Sequence, residues 1–363
     1  GPISHFDKML SIRDEWNAIY TSNIGKSPFL KFDFIILWYR CFCEPDQIRI
    51  YRANDGMRTI GFLPLVLNHN GVFRVLTSMT NDHCFHSEPL VLKGYEDEFD
   101  KLIFKELIRD RKNWDIFRHS FSYTFSQLPG LFAEDLLSNE NIAWERGTMP
   151  TYTVCLEKPY EEYFRVDLNY NTRKISKKFK KRLTKAGDYT FQHFQGTDAV
   201  RLWPDFIRIE DSGWKGTAGT SIKKCTSNYQ QYYNSLVTLL ADSKALNMYF
   251  LTLNNVPIAG GFGYVDGNIF HFAKTGYDEN FKSLSPSNLL LLNILEHLTN
   301  NFPEIKRFHM FPWDYGYKHK YINEENYCIT TILYGNTLRG TIANLISHLK
   351  KLVKSLLKKP SDN

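Results

Sequence analysis

No stretch of the chain approaches the roughly eighteen consecutive apolar residues that a membrane-crossing helix needs, which excludes a spanning segment from its reading. Paired cysteines are missing as well. The six present, Cys41, Cys43, Cys84, Cys155, Cys225 and Cys328, are scattered without metal-ligand spacing and read as reduced, mostly core thiols. His83-Cys84-Phe85-His86 has the chemistry of a metal cluster, but no distant second pair completes a tetrahedral set, so no metal is expected. Strong charge of one sign is also absent: a net +6 over 363 residues is mild for a nucleic-acid-binding chain. The opening Gly-Pro, in place of methionine, reads as the scar of a cleaved tag, so a missing signal peptide or anchor excludes nothing.

What is there is an ordinary globular composition, 43% apolar and 23% charged, long enough for two domains that each bury a core. Aromatics are abundant, with 27 Phe and 21 Tyr, and favour aromatic-lined packing or a ligand cleft.

The organisation centres on residues 247–298. Met248–Leu253 is strand-forming, Asn254-Asn255 breaks it, Pro257–Val265 resumes, and Asp266-Gly267 suits a two-residue hairpin turn. A third strand, Asn268–Thr275, sets Ile269, His271 and Ala273 on one face against Phe270, Phe272 and Lys274 on the other. Ser285-Pro286 then opens a helix, with the hydroxyl at the N-cap and proline at the first helical position. Its buried face is Leu289, Leu290, Leu292, Asn293 and Leu295.

The same order occurs earlier: strands at Gln47–Ala53, Thr59–Leu67 and Val72–Thr77, a helix at Glu96–Arg109, and a strand near Trp114–His119. Repetition of a whole supersecondary unit implies two copies of one α/β design. Residues 6–42 predict helix, interrupted near Gly25 and Pro28 and anchored by Trp16, Leu30, Phe34 and Trp38. Between the copies, helices are predicted at Tyr160–Gly187, Asp198–Ser212 and Thr226–Ser243. The first carries an apolar stripe of Ile175, Phe179 and Leu183. A Gly-rich segment, 213–219, separates the other two, and a last pair of strands lies around Cys328–Leu333.

This element order resembles the GNAT acyltransferase fold. Particular residues resemble the CelD-type, polysaccharide-associated acetyltransferase-like branch, which is related to the FemABX peptidyl transferases and shares their tandem GNAT units. They are Arg173-Lys174, Trp214-Lys215-Gly216, Pro257-Ile258-Ala259-Gly260, Gly276-Tyr277-Asp278, Ser285-Pro286 before Leu289-Leu290, and Tyr317-Lys318. The chain departs from that pattern at Ser287, where the family has glycine, at His309, where it has an acidic residue, and in lacking Arg-x-x-Gly-x-Gly. The resemblance implies an α/β (α+β) fold of tandem GNAT-like domains, each a mainly antiparallel mixed sheet flanked by helices. The expected division is 1–155, 156–340 and a basic amphipathic tail, 341–363.

Amine acylation from a thioester needs a base for the ammonium, a donor that polarises the carbonyl, and an acid for the departing thiolate. In the GNAT fold the second task falls to backbone N–H groups where two strands splay, here Asn268–Thr275 and Ile305–Phe311. His271 and His309 lie on those strands and are candidate bases, against the alternative of hydrogen-bonded core histidines. Glu210 is a candidate beside the Gly-rich segment, and Tyr315 and Tyr317 are candidate proton donors. The donor, acetyl-CoA or a longer acyl-CoA, is expected against Phe272, Ala273, Lys282, Ser285, Ser287 and Asn288, where a helix N-terminus meets a loop. Acceptor contacts are expected from Trp214, Lys215, Tyr277, Asp278 and Lys318, and from Asp82 and His83 of the first copy.

Two segments carry the basic excess. Arg173–Lys185 holds eight basic residues in thirteen and suits a polyanion, a phosphorylated sugar carrier or tRNA; its single aromatic, Phe179, argues against specific nucleic-acid reading. Thr341–Lys359 places Leu345, Ile346, Leu349, Leu352, Val353, Leu356 and Leu357 at helical spacing among lysines, with no acidic residue. It suits an anionic membrane surface, an acidic acyl-carrier protein, or simple docking on the core.

Together these readings describe an N-acyltransferase acting on an amine-bearing sugar or bacterial cell-envelope intermediate, cytoplasmic or peripheral at the inner membrane face. An aminoacyl-tRNA-dependent transferase and a catalytically inactive scaffold binding polysaccharide or lipid are the alternatives.

Overall fold

The computed structural model describes residues 1–22, 27–126, 128, 131–140 and 142–357; Gly25 and the lysines Lys358 and Lys359 lie outside them. The strands are β1 (Ile48–Asn54), β2 (Thr59–Asn70), β3 (Phe73–Ser78), β4 (Leu90–Val91), β5 (Ile116–Tyr123) and β6 (Ala143–Cys155). They continue as β7 (Tyr189–Gln195), β8 (Leu246–Leu253), β9 (Val256–Asp266), β10 (Ile269–Tyr277), β11 (Arg307–His309) and β12 (Glu324–Tyr334). The chain divides into two compact units, the first within 1–24, 43–149 and 327–363, the second within 25–42 and 150–326.

Each unit contains the expected repeat. In the first, β1, β2 and β3 form an antiparallel meander, the helix Glu96–Arg109 follows, and β5 returns parallel to β3. In the second, β8, β9 and β10 form the meander, the helix Pro286–Asn301 follows, and β11 returns parallel to β10. The turns are those the sequence announces: Asn254 and Asn255 take φ of 50° and 64°, and Gly267 takes 58°. β12 lies beside β5 in the first unit, while β7 and the end of β6 flank the strands of the second. In each unit the strands pair as a mixed, mainly antiparallel stretch of sheet with helices packed on it.

The units are not the contiguous blocks expected from a cut after residue 155. Residues 27–42 fold with the second unit because Ser27 Oγ donates to Asp266 at 2.6 Å and the helix Phe32–Phe42 lies on the helix Ser227–Asp242. Phe42 sits 5.1 Å from Tyr232, ring to ring. Cys328–Tyr334 fold with the first unit through the ladder to β5. One long strand, rather than a pair, occupies Glu324–Tyr334.

Three further local expectations are corrected. The helix predicted over Tyr160–Gly187 is broken at Leu168, where the chain turns extended and Asn169 caps a new helix, Tyr170–Ala186, by accepting from Thr172 N. That helix docks through Thr172, Ser176 and Leu183, with Phe179 half-buried and Ile175 48% exposed, so Ile175 is not part of the stripe. Leu30 is half-buried rather than a core anchor, whereas Trp16, Phe34 and Trp38 are buried as expected.

Candidate active site

β10 and β11 pair over three residues only, Ile269 with Arg307, Phe270 with Phe308 and His271 with His309. There β11 ends. β10 runs on to Tyr277 against β9, with a bulge between Phe272 and Lys274. The two parallel strands therefore part just beyond the histidine pair, and a fork opens beside Phe272 and Ala273. A bulge reverses the alternation of side chains. Lys274 consequently pairs with Phe262 and joins the face of His271 and Tyr264, not the face of Phe270 and Phe272 predicted from strict alternation.

At the crotch of the fork, His271 Nδ1 and His309 Nδ1 lie 3.1 Å apart, so one ring carries its proton there and the other accepts it. Both rings are buried, and His271 stacks on Tyr264 at 5.1 Å. Burial pulls the His271 imidazole down to about 3, which keeps it neutral through the physiological range.

Below the fork is a charged ledge built by the helix Trp203–Ser212 and the segment after it. Glu210 is buried, accepts from Ile222 N at 2.8 Å and meets Lys215 Nζ at 3.3 Å. Lys215 Nζ also donates to Thr275 O of β10 at 3.0 Å. Lys274 Nζ lies over the Tyr233 ring at 5.0 Å, and burial, helped by Lys215, pulls it down to about 8. Glycine is obligatory in this contact. A Cβ on Gly216 would fall 1.7 Å from Asp211 O, and one on Gly276 would fall 2.7 Å from Glu210 Cα. That explains the glycine in each of the Trp-Lys-Gly and Gly-Tyr-Asp motifs. Trp214 is 51% exposed at the edge of the ledge.

The loop after β10 is held locally. Asp278 accepts from Asn280 N, Tyr277 Oη donates to Glu279, and Lys282 pairs with Glu279 at 3.5 Å. Ser285 stands at the N-cap in the left-handed region, φ 53°, and its hydroxyl accepts from the Asn288 side chain at 2.6 Å instead of capping the backbone as predicted. Asn288 in turn accepts from Tyr321 Oη at 2.8 Å, so it latches the helix start to the far loop. Ser287 is half-buried on the same turn. Arg182 reaches this loop, with Nη1 3.5 Å from Ser283 O.

A strap, residues 310–321, follows β11. Lys318 is neither a surface lysine nor open to an acidic ligand: it is buried, and its Nζ donates to the carbonyls of Met310 (2.5 Å), Phe311 (3.1 Å) and Trp313 (2.6 Å). Burial pulls it down to about 7, against the opposing attraction of the Asp314 carboxylate. Tyr315 is 57% exposed; Tyr317 is half-buried and pushed up to about 12 by burial. The strap also carries a constellation not foreseen from the sequence. His319 Nε2 lies 3.1 Å from Asp314 Oδ2 and 3.5 Å from Tyr152 Oη, and both His319 and Asp314 are more than half exposed. The Gly316 N–H, ahead of His319, holds the Asp314 carboxyl below its ordinary range. Their five-residue spacing matches neither helix nor strand period, so no periodic signal marks them.

Asp82 and His83 lie in the first unit, Asp82 exposed and His83 half-buried with its N–H on Asn81 Oδ1 at 2.9 Å. Among the described residues no group of three or more metal-ligating side chains converges.

Residues 171–319 match the acetyltransferase (GNAT) domain family. The whole chain is similar in fold to a Bacteroides thetaiotaomicron protein of unknown function, at 12% identity and a TM-score of 0.54, covering 89% of this chain and 97% of that one. It is similar too to the C-terminal DUF2156 domain of an Agrobacterium fabrum protein provisionally designated a lysylphosphatidylglycerol synthetase, at 10% identity, TM-score 0.55 and coverages of 94% and 96%. FemX is a third, at 8% identity, TM-score 0.52 and coverages of 92% and 98%. No curated protein matches the chain. At these identities the structural likeness concerns the fold, and within the second unit residues 171–319 match the acetyltransferase (GNAT) domain family.

Proposed function

We propose that the chain is an N-acyltransferase that moves an acyl group from an acyl-CoA, or an acyl-carrier thioester, to an amine on a sugar or cell-envelope intermediate. The observation that carries this reading is the fork of β10 and β11 inside the matched GNAT segment. Strands that part leave backbone N–H groups facing the gap, where they stabilise a carbonyl oxygen becoming negative. The loop and helix start at 278–288 suit a phosphate-bearing donor: first-turn N–H groups point along the axis, and Arg182 and the exposed Lys282 supply positive charge. Asn288, bonded to Ser285 and Tyr321, holds that turn in place.

In the reaction the amine nitrogen attacks the thioester carbonyl carbon, the C–N bond forms, the C–S bond breaks, and the thiolate leaves. The amine must first lose a proton. His319, oriented by Asp314, is the accessible imidazole for that task, one carboxylate–imidazole pair from a generic base arrangement. The buried His271–His309 pair suits positioning of the fork, and Tyr315 or Tyr317 is the candidate proton source for the thiolate.

Amine-dependent release of free thiol from a panel of acyl-CoA donors tests this. We expect turnover with at least one donor, and in H319A a fall in kcat of about 10²–10³-fold with donor affinity kept. If H271A or H309A abolishes turnover in a folded protein while H319A does not, the buried pair is the base. No amine-dependent thiol release with any donor contradicts the reading. A second reading, an aminoacyl-tRNA donor, is favoured by the exposed cations Lys174, Lys177, Lys178, Lys181 and Lys185 on the helix Tyr170–Ala186. Aminoacyl-tRNA therefore belongs in the same panel.

A further inference from the structure

The helix Leu338–Leu357 is held to the first unit by the side opposite its apolar face. Gly340 and Ala343 are its buried residues. Gly340 packs so closely that a Cβ there would fall 2.1 Å from Gly335 O, and its N–H donates to Thr337 Oγ1 at 2.9 Å. One and two turns on, Ser347 bonds to Glu145 and Lys351 Nζ meets Glu145 Oε2 at 2.7 Å. At about 100° per residue these four positions share an arc of about 80°.

Leu345, Leu349, Leu352, Val353, Leu356 and Leu357 lie on the other side, between 52% and 76% exposed. A helix that served only to cover a core would turn this face inward. Instead Leu349, Val353 and Leu357 line a shallow apolar trough bordered by Lys350 and Lys354. No acidic residue occurs anywhere from 338 to 357.

We propose that this helix is an in-plane anchor that seats the protein on an anionic lipid surface. An apolar face bordered by lysines matches acyl chains beneath negative headgroups. A second copy of the chain is a poorer occupant, because it would bring Lys350 and Lys354 against their own counterparts with no carboxylate on either helix to offset them. No helix among the described residues is long and apolar enough to cross a membrane, so the mode is lying on the surface. The inference does not depend on the acyltransferase reading.

The test is co-sedimentation of the full chain with phosphatidylcholine vesicles, with and without phosphatidylglycerol. The wild type is expected to sediment with the phosphatidylglycerol vesicles and to be released by high salt. L345E/L349E/L356E, all on the exposed face, abolishes binding, and K350Q/K354Q weakens partitioning about 30-fold. Circular dichroism checks that each variant stays folded. The proposal is overturned if the wild type stays in solution with both vesicle types, or if K350Q/K354Q partitions as the wild type does. It is also overturned if the chain is a lipid-free dimer that the glutamate variant dissociates, or if the helix captures holo-acyl-carrier protein but not vesicles.

Discussion

Lys274 joins the charged cluster around the buried Glu210 because one extra residue in β10, at the bulge by Ala273, turns its side chain over. It then faces Glu210, Lys215, Cys225 and the Tyr233 ring. Burial lowers it from the ordinary 10.5 to about 8. Below pH 8 the ammonium is charged in folded and unfolded chains alike, and folding carries the whole desolvation cost. Between pH 8 and 10.5 the unfolded chain binds the more protons, so stability climbs with pH across that window, and above it the cost is gone. K274M removes the titration. Urea denaturation at pH 7.5 and pH 10 is expected to show the wild type gaining about 1–3 kcal/mol relative to K274M. Parallel pH profiles would mean that Lys274 is solvated, and that the bulge does not bury it.

At the scale of elements, the latch at the start of the helix Pro286–Asn301 fixes the loop proposed to take the donor. Asn288 accepts a hydrogen bond from Tyr321 Oη and donates one to Ser285 Oγ. N288D keeps the acceptor for Tyr321, loses the donor to Ser285, and adds a negative charge where a donor phosphate is proposed to sit. Acyl-CoA binding by calorimetry is expected to weaken about tenfold, with folding stability lowered by only about 1 kcal/mol. Unchanged affinity would remove this loop from the site. Much of the element layout was legible. Asn254-Asn255 and Asp266-Gly267 announce turns through local chemistry and the structure follows both, while Ser285-Pro286 marks the helix start although the Ser285 hydroxyl does not cap the backbone. The bulge at Ala273 was not legible, because no Gly or Pro marks it; the close packing of Gly276 on Glu210 and of Lys215 on Thr275 holds that end of the strand instead. The break at Leu168 was hidden for a similar reason: Asn169 reads as an ordinary helical position until Thr172 is seen to donate to it. Asp314 and His319 stayed invisible because an irregular strap, fixed by Lys318, brings them together.

At the scale of the molecule, the repeat of meander, helix and parallel strand was readable from turn chemistry and periodicity alone, while the discontinuous units were not. What moves residues 27–42 into the second unit is a tertiary hydrogen bond, Ser27 to Asp266, and aromatic packing on Tyr232. The two copies also differ in what fills the space after the third strand. In the first unit the loop ties back onto β5: His119 Nε2 bonds to Ser87 O at 2.8 Å, Ser87 Oγ donates to Ser120 O, and Tyr123 Oη donates to Phe85 O at 3.2 Å. Burial pulls His119 down to about 4, as in a packed interior. In the second unit β10 continues past the end of β11, and the loop from Asp278 onward leads to the helix start. One fork is thus filled by its own chain, and the other is the proposed donor site.

Hydrogen–deuterium exchange of the full chain, with and without saturating acyl-CoA, measures this most directly. Protection is expected at Phe272–Thr275 and across 282–290 in the second unit, with β3, β5 and the loop 79–88 of the first unit unchanged. Protection confined to the first unit, or none at the β10 fork under conditions where thiol is released, would contradict the account.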